Sequence, residues 1–240
     1  YLLPMFYTNA GLFYNKGLFE EKNWEVPMTW DEMWALAEVA KEDGISLFAY
    51  PTPGYYDSLM FSLLNVVGGP EYFQSAMRFD EEAWTGDNAD KLFDIIEQLC
   101  ANTERTVPAN GNNDNYLKNQ QLILDNEALF MPNGDWVVDE MADAPRADGF
   151  EWGFAAVPAL EDGGDRYAVT WIEQCWMPSG AQNKEGGKQF MAFLYSDKAA
   201  EIFGKHNAVQ PVQAAIDGLS EERKPFYEIY SEGAKPALGG

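Results

Sequence analysis

The stretch ALFMPNGDW, residues 128–136, sets a buried run against a turn, and the turn against the largest side chain available. Ala128 to Met131 have the β character of a short strand. Asn133-Gly134 is a strong turn signal, and Asp135 is a candidate N-cap for the helical pattern WVVDEMA. A strand that passes through a turn into a helix is one unit of an α/β fold. Trp136 then falls in the first helical turn just beyond a strand's carboxyl end, where open α/β sheets hold ligands. Its indole is either core packed under the loop or a platform for a ligand, and local pattern does not choose between the two.

The same alternation extends to both sides. Upstream, YLLPMFY predicts a short buried strand, followed after a glycine turn by a short helix with Leu12, Leu18 and Phe19 as its apolar positions. Thr29 and Glu32 make a capping box for a helix carrying Met33, Leu36, Ala37 and Ala40 on one face, with Gly44 as its stop. ISLFAY reads as a strand, PTPG as a turn, and YDSLMFSLLNVVGG as a buried helix ended by Gly68 and Gly69. Further helices are predicted over 88–102 and 114–125. Downstream, FEWGFAAVPAL is a strand, YAVTWIEQCWMP a long extended segment, and 184–195 and 197–204 are helices, the second capped by Ser196. NAVQPV is extended again, and SEERKPFYEIYSEGA closes as a helix interrupted early by Pro225. The pattern predicts an α/β fold with a mixed, mostly parallel sheet.

Composition narrows the function. The 240 residues hold 16 basic and 39 acidic side chains, a net charge of −23, so phosphate backbones and anionic lipid surfaces are repelled over the whole surface. No nucleic-acid partner is expected. Aromatics make up 15% of the chain, and flat amphipathic rings are what neutral, hydroxylated ligands bind against. Cys100 and Cys175 read as two free thiols, with Cys100 a small buried hydrophobe on the pattern Leu92, Phe93, Ile96, Leu99. One histidine, His206, leaves no metal constellation, and no cofactor is expected. GNNDN, at 111–115, lacks the lysine of a phosphate loop and the spacing of a calcium loop, and reads as a solvated turn.

Four further residues join Trp136 as candidates. Tyr55 and Tyr56 follow a strand and a Pro-Gly turn, the equivalent strand-end position of a different βα unit. Trp171 and Glu173, two apart on an extended segment, share one face. A ring covering the C–H face of a sugar beside a carboxylate accepting from its hydroxyls suits a saccharide, whereas a salt bridge is the plain alternative for Glu173. Aromatic and acidic richness also fits a sugar-active hydrolase with paired carboxylates, although no pair stands out among so many acids.

Taken together, LLPMFYTNAGLFYNKGLFEEKNWEVPMTWDEMWALAE, ALFMPNGDWV, WMPSGAQNKEGGKQFMAFLYSDKAAEIF and AVQPV resemble the extracellular solute-binding proteins of carbohydrate ABC transporters, the maltose-binding-like group. The resemblance runs through essentially the whole chain and leans to the branch that takes N-acetylglucosamine and diacetylchitobiose. It implies a periplasmic-binding-protein-like (type II) fold, two lobes joined by hinge strands, and no enzymatic activity. On this pattern residues 1–9 hold the first hinge crossing, with Met5 to Asn9 as its extended part. Residues 10–167 form the sugar-binding lobe, 168–174 the second crossing, 175–207 part of the other lobe, 208–212 the third crossing, and 213–240 the return. A further half-lobe before this segment and more helices after it are implied, leaving apolar surface around 175–212 uncovered. The family's stacking tryptophan after an NG.W turn matches Trp136, and its strand-end aromatic matches Tyr55 or Tyr56. Trp171 and Glu173 fall on the second crossing, which lines the cleft, and Asn9 ends the first as a polar contact. The resemblance implies a mono- or oligosaccharide ligand, a membrane permease as partner, a monomer, and an extracellular or periplasmic site tethered by an N-terminal lipid.

Overall fold

The computed structural model describes residues 2–112, 114–210 and 212–238. Pro211 of the expected third crossing, Asn113 of the GNNDN turn and the terminal residues Tyr1, Gly239 and Gly240 lie outside them. In chain order the elements are β1 Leu2–Asn15, α1 Lys16–Lys22, α2 Trp30–Glu42, β2 Ser46–Phe48, α3 Pro53–Met77, α4 Glu81–Thr85, α5 Asp87–Ala101, α6 Val107–Asn110 and α7 Tyr116–Leu124. They continue with β3 Ala128–Gly134, α8 Val137–Glu140, β4 Trp152–Ala155, β5 Tyr167–Trp176, α9 Lys184–Phe193, α10 Asp197–Lys205, α11 Gln213–Asp217, α12 Lys224–Glu228 and β6 Lys235–Leu238.

β1 is the spine. The sheet order is β2-β3-β1-β5-β6, and β4 pairs with β1 as well. On one edge β1 carries β3 in antiparallel register from Ala10↔Gly134 to Phe13↔Met131. On the other it carries β5 from Leu2↔Trp176 to Ala10↔Val169, then β4 from Leu12↔Ala155 to Asn15↔Trp152. The sheet is mixed, as expected, but it is not mostly parallel: among the named strands of the described residues every partner of β1 runs against it, and the parallel pairs are β2–β3 and β5–β6. Side chains alternate across the pleat. Leu12 and Tyr14 enter a core under α2, α3 and α5, while Phe13 enters a second core with Met131, Phe154 and Phe226.

The expected glycine turn after YLLPMFY is not a turn. β1 runs straight through Gly11 because the missing side chain is what lets β4 approach: a Cβ there would lie 2.7 Å from the Ala155 carbonyl oxygen and 2.8 Å from Phe154 Cζ. Close backbone approach is the usual reason for glycine inside a strand.

α2 forms as its sequence dictates. Glu32 N donates to Thr29 Oγ1 at 3.3 Å, Thr29 N donates back to Glu32 Oε2 at 3.2 Å, and Met33, Leu36, Ala37 and Ala40 are buried. In α3 the predicted stop is a break: Gly69 has φ 75, ψ −177, and the chain re-enters helix at Pro70. PTPG is less a turn than a helix entrance, since Pro53 is the first residue of α3. Cys100 is free and, contrary to expectation, exposed. The buried stripe of α5 is Ala89, Leu92, Ile95 and Leu99, and Cys100, one residue past Leu99, turns about 100° away from it; Phe93 is exposed for the same reason.

Beyond the sheet, residues 177–205 stand on the far reaches of β1 and β5. Tyr195 donates its hydroxyl to the Pro4 carbonyl, and the Phe6 and Phe203 rings lie 6.2 Å apart. α9 buries no residue, and Trp176, Phe190, Phe193 and Ile202 are all exposed. Apolar surface in this segment is thus uncovered, as the resemblance implied.

Gly11→Ala is expected to lower stability by about 1–3 kcal/mol, the usual cost of overpacking a filled interior. Urea denaturation checks this, and an unchanged midpoint would show that β4 can retreat without loss.

Candidate functional site

All seven residues of β3 are buried, and the strand ends where Gly134 opposes Ala10. The next two side chains part company. Asp135, 2% exposed, turns inward, while Trp136 is half-buried and turns out. The indole packs directly on the glycine behind it: a Cβ on Gly134 would fall 2.1 Å from Trp136 Cη2 and Cζ3. Its Nε1–H donates to the Tyr55 hydroxyl oxygen at 3.0 Å, and the two rings meet edge to face at 6.3 Å. Burial pushes the Tyr55 phenol up, against a lowering by that bond, so its own O–H stays protonated and available to donate. β2 and β3 are parallel neighbours, and their carboxyl ends therefore deliver Tyr55, through the entrance of α3, and Trp136 to one edge of the sheet.

Tyr56 does not join them. One residue further around α3, it packs on Tyr50 at 4.5 Å and Phe48 at 5.9 Å, with its hydroxyl 3.8 Å from Cys100 Sγ. Asn9 is 0% exposed. Its Nδ2 donates to the Phe226 carbonyl at 2.9 Å, and its Oδ1 accepts from the Tyr230 hydroxyl at 3.0 Å. Both ends of that amide are committed inside the protein, which leaves it no free polar atom for a ligand.

Trp171 and Glu173 share one face of β5, as alternation requires. Trp171 opposes Thr8, two residues along β1 from Ala10 and one strand beyond it, which places its backbone on the order of 10 Å from the end of β3. Its ring meets Phe61 of α3 at 6.0 Å. Glu173, opposite Phe6, is exposed, and among the described residues no basic side chain pairs with it.

What sequence reasoning missed lies behind the indole. Asp135 is not an N-cap; Trp136 occupies that position, without a side-chain bond. The Asp135 carboxylate instead accepts from the Tyr227 hydroxyl, and its backbone N–H donates to Asn9 O at 3.2 Å. Arg223, 3% exposed, faces it and pairs with Asp139 at 2.7 Å. A buried carboxylate needs such partners, but nothing in PNGDW distinguishes it from a cap.

The model of the family described as bacterial extracellular solute-binding protein matches residues 1–217 of this chain. The chain belongs to that family. Among the relatives of this solute-binding protein, the diacetylchitobiose binding protein NgcE of Streptomyces coelicolor is 30% identical over 206 residues, covering 82% of this chain and 43% of its own. A solved chitin oligosaccharide binding protein superposes with a TM-score of 0.72 at 20% identity, over 100% of this chain and 61% of that one. The bacterial solute receptor AcbH, described as having an exclusive preference for β-D-galactopyranose, gives 0.75 at 21%, over 100% and 60%. The two structures share the fold, the type II α/β architecture of sugar-binding proteins. The chain spans about half of the length of the curated relative and three fifths of the solved ones.

Burial raises the Asp135 carboxyl from 3.8 to about 6, against the lowering effects of Tyr227 and Arg223. The native solute-binding protein therefore holds this proton more tightly than the unfolded chain does. Stability contributed by the group is present below about pH 4 and lost as pH rises through about 6, an effect on the order of 2–3 kcal/mol. Denaturation of the wild type and Asp135→Asn across pH 4–7 should give curves whose difference opens over that window. Parallel curves would mean that the carboxyl titrates normally.

Proposed function

We propose that this chain is a large part of the sugar-capturing subunit of an ABC importer, and that it works by binding alone, with no bond made or broken. The observation that carries the reading is the half-exposed indole of Trp136 at the sheet's carboxyl edge, laid on Gly134 and braced by Tyr55. Family membership supports it. A saccharide places its apolar face on the indole and accepts the Tyr55 hydroxyl proton. Trp171 lines the wall and Glu173 accepts from a hydroxyl. Tyr56 and Asn9, turned elsewhere, have supporting roles only.

In this reading residues 10–167 and 213–240 form one lobe and 175–207 part of a second. The crossings are 1–9, 168–174 and 208–212. Three observations favour it. β1 and β5 continue as a pair past Ala10 and Val169, with a register shift between Pro4 and Phe6. Tyr7 N donates to Val209 O at 2.8 Å, which brings the third crossing against the first. Trp176, Phe190, Phe193, Tyr195 and Ile202, all exposed, lie in the segment assigned to the second lobe, although others such as Phe79 and Phe93 lie outside it. Ligand would favour the closed arrangement only through contacts made to both lobes. The chitobiose type of ligand is preferred because a relative so named is 30% identical. The site of action is outside the cytoplasmic membrane, with an N-terminal lipid as tether, and the closed monomer docks on a permease.

Calorimetry on the full-length protein with N,N′-diacetylchitobiose, N-acetylglucosamine and maltose tests this. Trp136→Ala should weaken the preferred sugar about tenfold, the worth of roughly 60 Å² of lost apolar cover, and Tyr55→Phe should weaken it a fewfold. Tyr56→Phe should change nothing. Unchanged affinity in Trp136→Ala removes the indole from the site, and release of reducing ends from a chito- or malto-oligosaccharide replaces the reading with a hydrolase.

A further inference from the structure

Trp136 is braced on its outer side by one hydrogen bond and on its inner side by the buried Asp135. The residues holding Asp135 all belong to the short segment around α12 or touch what it touches. Tyr227 donates to the carboxylate and sets its ring edge to face against Tyr7 of β1, 5.3 Å between centres. One residue earlier, the Phe226 carbonyl accepts from Asn9 of β1. Three residues later, the Tyr230 hydroxyl reaches both Asn9, at 3.0 Å, and Thr170 of β5, at 2.6 Å. Arg223 closes the cluster from below, paired with Asp139 of α8, which also accepts from Asn207 at 3.3 Å. The short segment from Arg223 to Tyr230, with α12 at its centre, thus clasps β1, β5 and the end of β3 at the place where Trp136 leaves the sheet.

We propose that Asp135 is a positioning residue for the indole, tying Trp136 through Tyr227 to β1 and, through the segment that also carries Tyr230, to β5, so that the ring is held in place for a sugar only while this buried clasp is intact. The inference rests on the reading of Trp136 as a sugar platform, but its geometric half does not. Asp135 and Trp136 are neighbours across a turn with no side-chain cap. On the Asp135 side the peptide between them is held by the Asp135 N–H bond to Asn9 and by the carboxylate; on the Trp136 side the carbonyl accepts from Asp139 N at 3.1 Å and Glu140 N at 3.0 Å, and the ring rests on Gly134 and bonds Tyr55. Removing the carboxylate frees that peptide to rotate and strands the Tyr227 hydroxyl in the interior, whereas an amide at the same position still accepts from Tyr227.

The near-ultraviolet circular dichroism of the full-length protein isolates the ring: wild type minus Trp136→Phe gives the band of an immobilised indole. Asp135→Ala is expected to lose most of that band and to bind N,N′-diacetylchitobiose about tenfold more weakly. Asp135→Asn should keep the band and bind within about twofold of wild type, a rescue that a general loss of stability would not produce. Should Asp135→Ala fail to fold, Tyr227→Phe removes a single oxygen and should show the same loss of band. Tyr72→Phe, which deletes a hydroxyl bond to the Ala83 carbonyl elsewhere in the fold, should leave the band unchanged. A band that persists in both Asp135→Ala and Tyr227→Phe, or that Tyr72→Phe reduces equally, overturns the proposal. If the band behaves as expected but no sugar binds even to wild type, the clasp stands and the sugar-platform reading falls.

Discussion

The pairing of Ala10 with Gly134 is the constraint from which the rest follows. β1 is fixed from both edges by antiparallel partners, so the point at which β3 stops is fixed too, to the residue. A shift of one residue would exchange the two faces of every strand, turning Phe13 out of its core and Leu12 into it. Because β3 stops at a glycine, the next turn can fold back tightly enough for an indole to lie on the backbone it has just left. A larger residue at 134 would occupy the volume of the ring.

The turn then divides polar anchoring from apolar display between two adjacent residues. Asp135 costs desolvation, visible in its raised pKa, and a phenol and a nearby guanidinium offset only part of that cost. Trp136 keeps an exposed face and gives up only its N–H, to Tyr55. An acidic surface of net charge −23 does not oppose this arrangement when the ligand is neutral, since no long-range field acts on an uncharged sugar.

Much of this was legible in the chain. The Thr29–Glu32 capping box, the α2 stripe, the Ser196 cap and the β3-turn-helix unit follow from local chemistry, and the structure contains them. So does the shared face of Trp171 and Glu173, which needs only the two-residue period of a strand. What local chemistry does not reveal is the role of residues set by partners far along the chain. Gly11 looks locally like a turn because its reason for being glycine, the Ala155 carbonyl, lies 144 residues away. Asp135 looked like a cap because Tyr227 is 92 residues off. The direction of the sheet is hidden from local pattern because β1 pairs antiparallel with strands that no short hairpin connects to it. Tyr55 and Tyr56 were indistinguishable until the entrance of α3 fixed which of the two faces Trp136.

The central claim is that the indole of Trp136 is the surface a sugar covers. Oxidative footprinting of the full-length protein, read by mass spectrometry at each of its tryptophans with and without saturating N,N′-diacetylchitobiose, measures that cover directly. The account predicts that oxidation of Trp136 slows severalfold when the sugar is bound, while Trp24 and Trp34, which pack near α1 and α2, react at the same rate in both states. Oxidation of Trp136 at an unchanged rate in a protein that calorimetry shows to be saturated would contradict it.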